Sequence, residues 1–186
     1  MKSLSIIIPC YNEENNIIPL FEQLNELIKI DQNLEIIIVE NGSTDKTLKK
    51  IKDHYLFIKQ NIVLVTVKKN IGYGHGIMLG IQKSTAKYLS WCHSDLQTNP
   101  KFTYYAFKTN FDQLKNNNTI IKGLRKNRIL LDNIFTFCMS ILVSLIFMIK
   151  LTDINAQPKI FSRNLLKFLT NPPNDFSLDL YLLIIA

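Results

Sequence analysis

Short runs of β-branched and aliphatic residues, too apolar for a sheet with one wet face, recur through the first half of this chain. Segments of helical period separate them. Leu4-Ser5-Ile6-Ile7-Ile8 is closed by Pro9, Leu34 to Val39 is a second run, Ile62 to Val67 a third and Tyr88 to Cys92 a fourth. Between them Ile17, Leu20, Phe21, Leu24, Leu27 and Ile28 fall at helical spacing, as do Leu48, Ile51, Tyr55 and Ile58, then Ile77, Met78 and Ile81. Strands that are apolar on both faces, alternating with amphipathic helices, predict the α/β class: a mostly parallel sheet with helices on both faces.

After Pro100 the rhythm changes. A helix carrying Phe102, Tyr105 and Ala106, extending towards Phe111 and Leu114, leads to the loop Asn116-Asn117-Asn118 and a strand over Thr119 to Leu124. Residues 134–149 are almost entirely apolar. At about sixteen residues the run is shorter than the roughly twenty that span a bilayer. It reads either as a buried core helix or as a helix lying at a membrane interface beside Arg125, Lys126, Arg128 and Lys150; its apolar character all round favours the interface. The chain stops inside another apolar run at Leu182 to Ala186, as a piece of a longer frame would.

The 186 residues suit one domain, and a net charge of +7 raises nucleic acid, anionic membrane or anionic substrate as partners. No block of five Lys or Arg and no basic-aromatic interleaving occurs, which argues against nucleic acid. Cys10, Cys92 and Cys138 are odd in number and scattered, so they read as buried free thiols of a reducing compartment. The N-terminus enters a strand directly, without a secretory pattern, and a cytoplasmic location is expected.

Polar residues gather where the strands end, which is where open α/β sheets bind ligands. In Pro9-Cys10-Tyr11-Asn12-Glu13-Glu14, Tyr11 offers an aromatic face and Glu13 an acceptor for a base or ribose; Asn12 is also placed to cap the following helix. In Glu40-Asn41-Gly42-Ser43-Thr44-Asp45-Lys46-Thr47, an acid and an amide sit where a base edge or ribose hydroxyl could be read. The turn Asn70-Ile71-Gly72-Tyr73-Gly74 allows close backbone approach to a phosphate or sugar, and it is neither a dinucleotide fingerprint nor a P-loop. Finally His93, Asp95 and Gln97 alternate after the fourth strand, so an extended backbone would point all three the same way. One carboxylate with neutral donors suits Mg2+ or Mn2+, and the imidazole tilts the choice to Mn2+. The competing reading is a polar strand end before a helix capped near Thr98 or Asn99, with Pro100 in its first turn.

In this order and spacing the four segments resemble the family 2 glycosyltransferases, with their P-x-Y-N-E, D-D-G-S-x-D-x-T, N-x-G-x-G and D-x-D segments. The resemblance covers about the first 100 residues, and Asp95-Leu96-Gln97 looks like the branch that transfers sugars to dolichyl or polyprenyl phosphate. It implies a GT-A-like, Rossmann-like α/β fold with a nucleotide-sugar-binding half over 1–100 and an acceptor-side half over 101–186. It also implies a UDP- or GDP-sugar donor contacted by Pro9, Tyr11, Glu13, Glu40, Asn41, Asn70, Gly72 and Gly74. A divalent ion, Mn2+ or Mg2+, would be held by Asp95 and Gln97, with His93 where the family has its first Asp. Glu40 and Asn41 stand where the family has a pair of Asp residues, and the metal segment keeps one carboxylate.

The segment Gly123-Leu124-Arg125 resembles the branch's G-x-R, which places Arg125 and Arg128 on a donor diphosphate or lipid phosphate. Asp153 to Arg163 falls where the branch has an acceptor loop, making Gln157, Lys159 and Arg163 candidate contacts. Asp175 and Asp179, four apart, share a helical face; Asp179 is a candidate base, against a plainer role in capping and surface solvation. The resemblance thus implies an inverting transferase, catalytic through Asp95, Arg125 and Asp179, acting on a polyprenyl phosphate at the inner face of the membrane in cell-envelope synthesis. Its alternatives are a nucleotide-sugar-binding module without turnover and a transferase with a soluble sugar acceptor.

Overall fold

The computed structural model describes residues 2–58, 61–116, 118–125 and 130–186, with side chains omitted at 55–58 and 130–135. Arg128, among the predicted phosphate contacts, and Lys126 lie outside the described residues. Strands β1 (Leu4–Cys10) and β2 (Leu34–Glu40) are buried at every position, as their uninterrupted isoleucines require. Three-residue to five-residue strands complete the sheet: β3 (Ile62–Thr66), β4 (Tyr88–Trp91), β5 (Ile120–Lys122) and β6 (Lys159–Ser162). The order is β3-β2-β1-β4-β6-β5. The β1–β2, β1–β4 and β2–β3 pairs are parallel, with Ile6 opposite Ile36 and Ser90, while β6 runs antiparallel to β4 and β5.

Helix α1 (Ile17–Ile30) buries Ile17, Leu20, Phe21, Leu24 and Leu27, the stripe its periodicity predicts. It packs on one face of the sheet beside α2 (Thr47–Ile58) and α4 (Pro100–Thr109). Helix α3 (Tyr73–Lys83) covers the other face, where Leu178 and Leu182 of α7 (Leu178–Ile185) and Leu165 of a 3-10 turn (Arg163–Phe168) join Ile7, Ile37 and Trp91 in a second core. A short α5 (Phe111–Leu114) follows α4. The mostly parallel, two-sided sheet is the expected one.

Three expectations are corrected, and one of the two readings of the 134–149 run is excluded. The segment expected as an acceptor loop contains β6, an internal strand. Asn12 does not cap α1; its side chain turns to the neighbouring loop and accepts from the Thr44 amide at 2.9 Å. Cys138 is exposed, although Cys10 and Cys92 are buried, and burial pushes both of those thiols up to about 12. Helix α6 (Leu130–Phe147) is not a core helix: among its described side chains only Ser140 and Val143 are buried, while Phe137, Leu142, Leu145 and Ile146 are exposed. Among the described residues no helix is long and apolar enough to cross a membrane.

Candidate functional site

The loops after β1 and β2 bind each other before they can bind anything else. Asn12 donates its amide to Ser43 Oγ at 3.1 Å, Glu13 to Thr47 Oγ1 at 2.8 Å, and Lys46 donates to Glu14 Oε2 at 3.0 Å. Asp45 accepts from the amides of Thr47 and Glu14. Burial works against the Asp45 carboxylate, but these hydrogen bonds, with that of the Thr47 side chain, outweigh it and hold its pKa below the usual range. Ser94 Oγ donates to the Pro9 carbonyl at 3.0 Å and ties in the loop after β4. The three strand ends thus form one rigid shelf.

A cavity of about 350 Å³ opens on that shelf. Of the predicted donor contacts, Pro9, Tyr11, Glu13, Asn41, Asn70 and Gly72 line it together. Asn41 is 2% exposed; its Nδ2 donates to the Gly72 carbonyl at 3.0 Å and its Oδ1 has no partner among the described residues. A buried amide oxygen with no protein donor requires a partner from outside the chain, water or ligand. Two predicted contacts do not reach the cavity. Glu40 is 2% exposed and accepts from the Ser43 amide at 2.6 Å, closing its own turn.

Gly74 is the other. A side-chain carbon there would lie 2.2 Å from the Pro173 carbonyl oxygen, and one at Gly72, at φ 146°, would lie 2.2 Å from that of Asn174. The close approach that these glycines permit is therefore taken up by the chain's own 173–175 segment, whose Asn174 carbonyl also accepts from the His75 amide. That segment delivers Phe176, which stacks on Tyr73 at 4.5 Å; Tyr73 in turn stacks on His93 at 5.2 Å, with its hydroxyl 3.3 Å from His93 Nε2. The stack divides the first cavity from a second one.

The second cavity, of about 200 Å³, gathers His93, Asp95, Gln97, Arg125, Gln157 and Asp179. The first three do not alternate along a strand. Leu96 is left-handed at φ 62°, and Asp95 Oδ1 accepts from the Gln97 amide at 3.0 Å in a tight turn. They converge nonetheless, because the turn does what the extended backbone was expected to do. The helix cap predicted beside them forms as well: Asn99 accepts from the Lys101 amide, with Pro100 leading α4. Arg125, Gln97 and Gln157 are shared with a third, shallower cavity of about 470 Å³, whose wall includes Phe102, Ala106 and Leu124.

Arg125 is aimed by Asp153, which accepts from its backbone amide and Nε, both at 2.7 Å, and from a terminal nitrogen at 2.5 Å. Asp179 is 1% exposed and takes hydrogen bonds from Trp91 Nε1 at 2.9 Å and Lys159 Nζ at 2.8 Å. Neither capping nor surface solvation describes it; Asp175 accepts from the Ser177 amide and hydroxyl in the turn before α7, whose N-cap residue is Ser177. Lys159 is 0% exposed and lines none of the three cavities, and Arg163 is engaged at the opposite end of the sheet with the Ala86 carbonyl and Ser84. Sequence reasoning missed Tyr73, Phe176 and Trp91, although Tyr73 stands inside the glycine turn it singled out.

Among the described residues no three His, Cys, Asp or Glu side chains cluster as a ready-made metal cage. With Asp179 taken up by Lys159, the predicted set of Asp95, His93 and Gln97 lines a common cavity, and one carboxylate with two neutral donors suits a hard divalent ion that takes its remaining oxygens from a phosphate ligand.

A shelf of parallel strand ends with an antiparallel strand beside β4 is the arrangement of the GT-A glycosyltransferase fold. Residues 5–137 match the family described as Glycosyl transferase family 2, and the chain belongs to that family. It is 27% identical over 169 residues to a dodecaprenyl-phosphate galacturonate synthase of Rhizobium johnstonii, covering 88% of this chain and 49% of that protein. The chain thus spans about half the length of this curated relative. Two solved structures share the fold at 18% identity. One is a mannosyltransferase from Pyrobaculum calidifontis in complex with GDP-Man and Mn2+ (TM-score 0.67, covering 92% of this chain and 47% of that one). The other is glucosyl-3-phosphoglycerate synthase from Mycobacterium tuberculosis with Mn2+, UDP and its product (TM-score 0.72, covering 98% and 64%).

Proposed function

We propose that this domain transfers a sugar, with inversion, from a UDP- or GDP-sugar to a polyprenyl phosphate. The observation that carries the reading is the pair of adjoining cavities at the strand ends. One is lined by Tyr11, Glu13, Asn41 and Asn70, groups suited to a base and ribose, and the other by both Asp95 and Arg125. The relative's polyprenyl-phosphate chemistry and the nucleotide ligands of the structural neighbours support it.

Tyr11, Glu13, Asn41 and Asn70 would hold the nucleoside, with Asn41 Oδ1 accepting from the base or a ribose hydroxyl. Asp95, with Gln97 and His93, would hold Mn2+ or Mg2+, which supplies Lewis-acid stabilisation of the leaving diphosphate. Arg125, held to Asp153 by one edge, keeps further N–H groups for a phosphate. In the transfer a phosphate oxygen of the acceptor bonds to the anomeric carbon as the bond to the diphosphate breaks. That nucleophile is already anionic and requires no base, which agrees with Asp179 being locked in a buried ion pair. The exposed apolar side chains of α6 would lie on the lipid surface that carries the acceptor.

A second reading has its own observation. His93 stacks on Tyr73 and stands where the family has a carboxylate, which favours a module that binds nucleotide sugars without turnover. It predicts that His93→Asp gains transfer. Calorimetric titration of UDP-, GDP- and dTDP-sugars, with and without Mn2+, tests the main reading. Mn2+-dependent binding of one nucleotide, lost in Asp95→Ala, is expected; no binding of any of them sinks the donor site.

A further inference from the structure

Lys159 is a lysine with no access to solvent, seated in an internal strand. Such a charge is retained only when it is paired, and its partner is Asp179 at 2.8 Å, itself 1% exposed. A pair of this kind is seldom the cheapest way to fill a core, so what it holds is informative. Asp179 Oδ1 also accepts from Trp91 Nε1 at 2.9 Å, which fixes the carboxylate against β4. Both carboxylate oxygens then lie 3.3 Å from Gln157 Nε2.

The last contact sets the direction of an amide. Reversed, the Gln157 carbonyl would face two carboxylate oxygens, so the charge of Asp179 keeps the nitrogen inward. That nitrogen also reaches the Tyr73 hydroxyl at 3.4 Å, linking Gln157 to the aromatic stack. The carbonyl oxygen, Oε1, is buried and has no partner among the described residues, on a residue that lines both the Asp95 cavity and the Arg125 cavity beside it. It lacks a hydrogen-bond donor, and hydroxyls are what a sugar brings.

We propose that Lys159, acting through Asp179, is a positioning residue that orients the Gln157 carboxamide to accept from a hydroxyl of the sugar being transferred. Lys159 thereby leaves the list of substrate contacts and Asp179 that of bases; Gln157 is the group that touches the ligand. The inference rests on the nucleotide-sugar reading above and deepens it.

The test is a cycle of Lys159→Met, Gln157→Ala and the double variant, with Lys159→Arg as the conservative case. Transfer to undecaprenyl phosphate is measured with whichever UDP- or GDP-sugar binds the wild-type chain. Free UDP or GDP, which has no sugar, is titrated alongside. Trp91 is the only tryptophan, and its indole is bonded to Asp179, so its emission reports on the network in every variant. Expected are an altered Trp91 emission in Lys159→Met, UDP or GDP affinity within about twofold of wild type, and kcat/KM down tenfold or more. Gln157→Ala should lose as much, the double variant no more than either, and Lys159→Arg should recover part. Additive losses, or a Lys159→Met variant whose UDP or GDP affinity falls with its turnover, would make the pair merely structural and overturn the proposal. Unchanged turnover in Lys159→Met would do the same. Failure of the wild-type chain to bind any nucleotide sugar would instead bring down the functional reading, and this inference with it.

Discussion

Arg125 can grip a phosphate only while Asp153 keeps it aimed. Burial disfavours the Asp153 carboxylate, but hydrogen bonds from Arg125 and the charges of Arg125 and Lys122 more than offset this and hold its pKa below the ordinary range. A depressed carboxylate contributes its stability in full above the unfolded value, about 3.9, and loses it as pH falls through the lower folded value. Asp153→Asn should therefore be less stable than the wild type from neutral pH down to about 4. The gap between their urea midpoints should close below that. A gap that stays constant down to pH 2 would mean that the pair stores no such linkage. The same residue shows what local sequence conveys. Arg125 was readable in the sequence as a candidate phosphate contact, whereas the residue that holds it, 28 positions away, carried no signal of its own. Gly72 and Gly74 were read as room for a phosphate or sugar, and what approaches them is backbone. Sequence could not say that the approaching backbone would be residues 173–175, because glycine records that space is needed and not what fills it.

At the scale of elements, the parallel strands were legible because a strand buried on both faces must be apolar at every position, and that pattern is local. Strand β6 was not. It opens on Lys159, a residue that belongs in an internal strand only because Asp179, on a helix twenty positions later, neutralises it. Helix α6 was legible as a helix, and its apolar surround as a warning, but which environment it meets depends on tertiary packing. Its exposed Phe137, Leu142, Leu145 and Ile146 form more apolar surface than a lone helix keeps in water without cause. Burial of such side chains is worth roughly 25 cal/mol per Å², so a few of them suffice for reversible attachment to a bilayer. The wild-type chain should float with liposomes containing anionic lipid, and Leu145→Glu with Ile146→Glu should cut the bound fraction tenfold or more. Both side chains are exposed, so the thermal midpoint should hold. A wild-type chain that stays at the bottom of the gradient would assign this face to another partner.

The whole molecule is built so that no part of the site belongs to one segment. The first hundred residues supply β1 to β4 and the nucleotide shelf, yet β6 pairs directly with β4, and Leu178 and Leu182 complete the core under Trp91. The proposed division into a donor half and an acceptor half would thus be one of chemistry laid over a single sheet. Phe176 and Gln157, from the second half, wall the cavity that holds Asp95 from the first. Ligand bound there should hold both halves at once and stabilise the entire fold. At a hundredfold excess over its dissociation constant, a donor adds about 2.7 kcal/mol, which for a chain of this size corresponds to roughly 5–10 °C in the thermal midpoint. On the proposed reading, in which Asp95 is the carboxylate offered to the metal and the diphosphate completes its shell, Mn2+ alone should shift the midpoint little. Donor and Mn2+ together should give the full shift, EDTA should abolish it, and Asp95→Ala should show none. A full shift with donor in the presence of EDTA would place the binding energy in the nucleoside contacts and Arg125, and the assignment of Asp95 to a cation would be wrong.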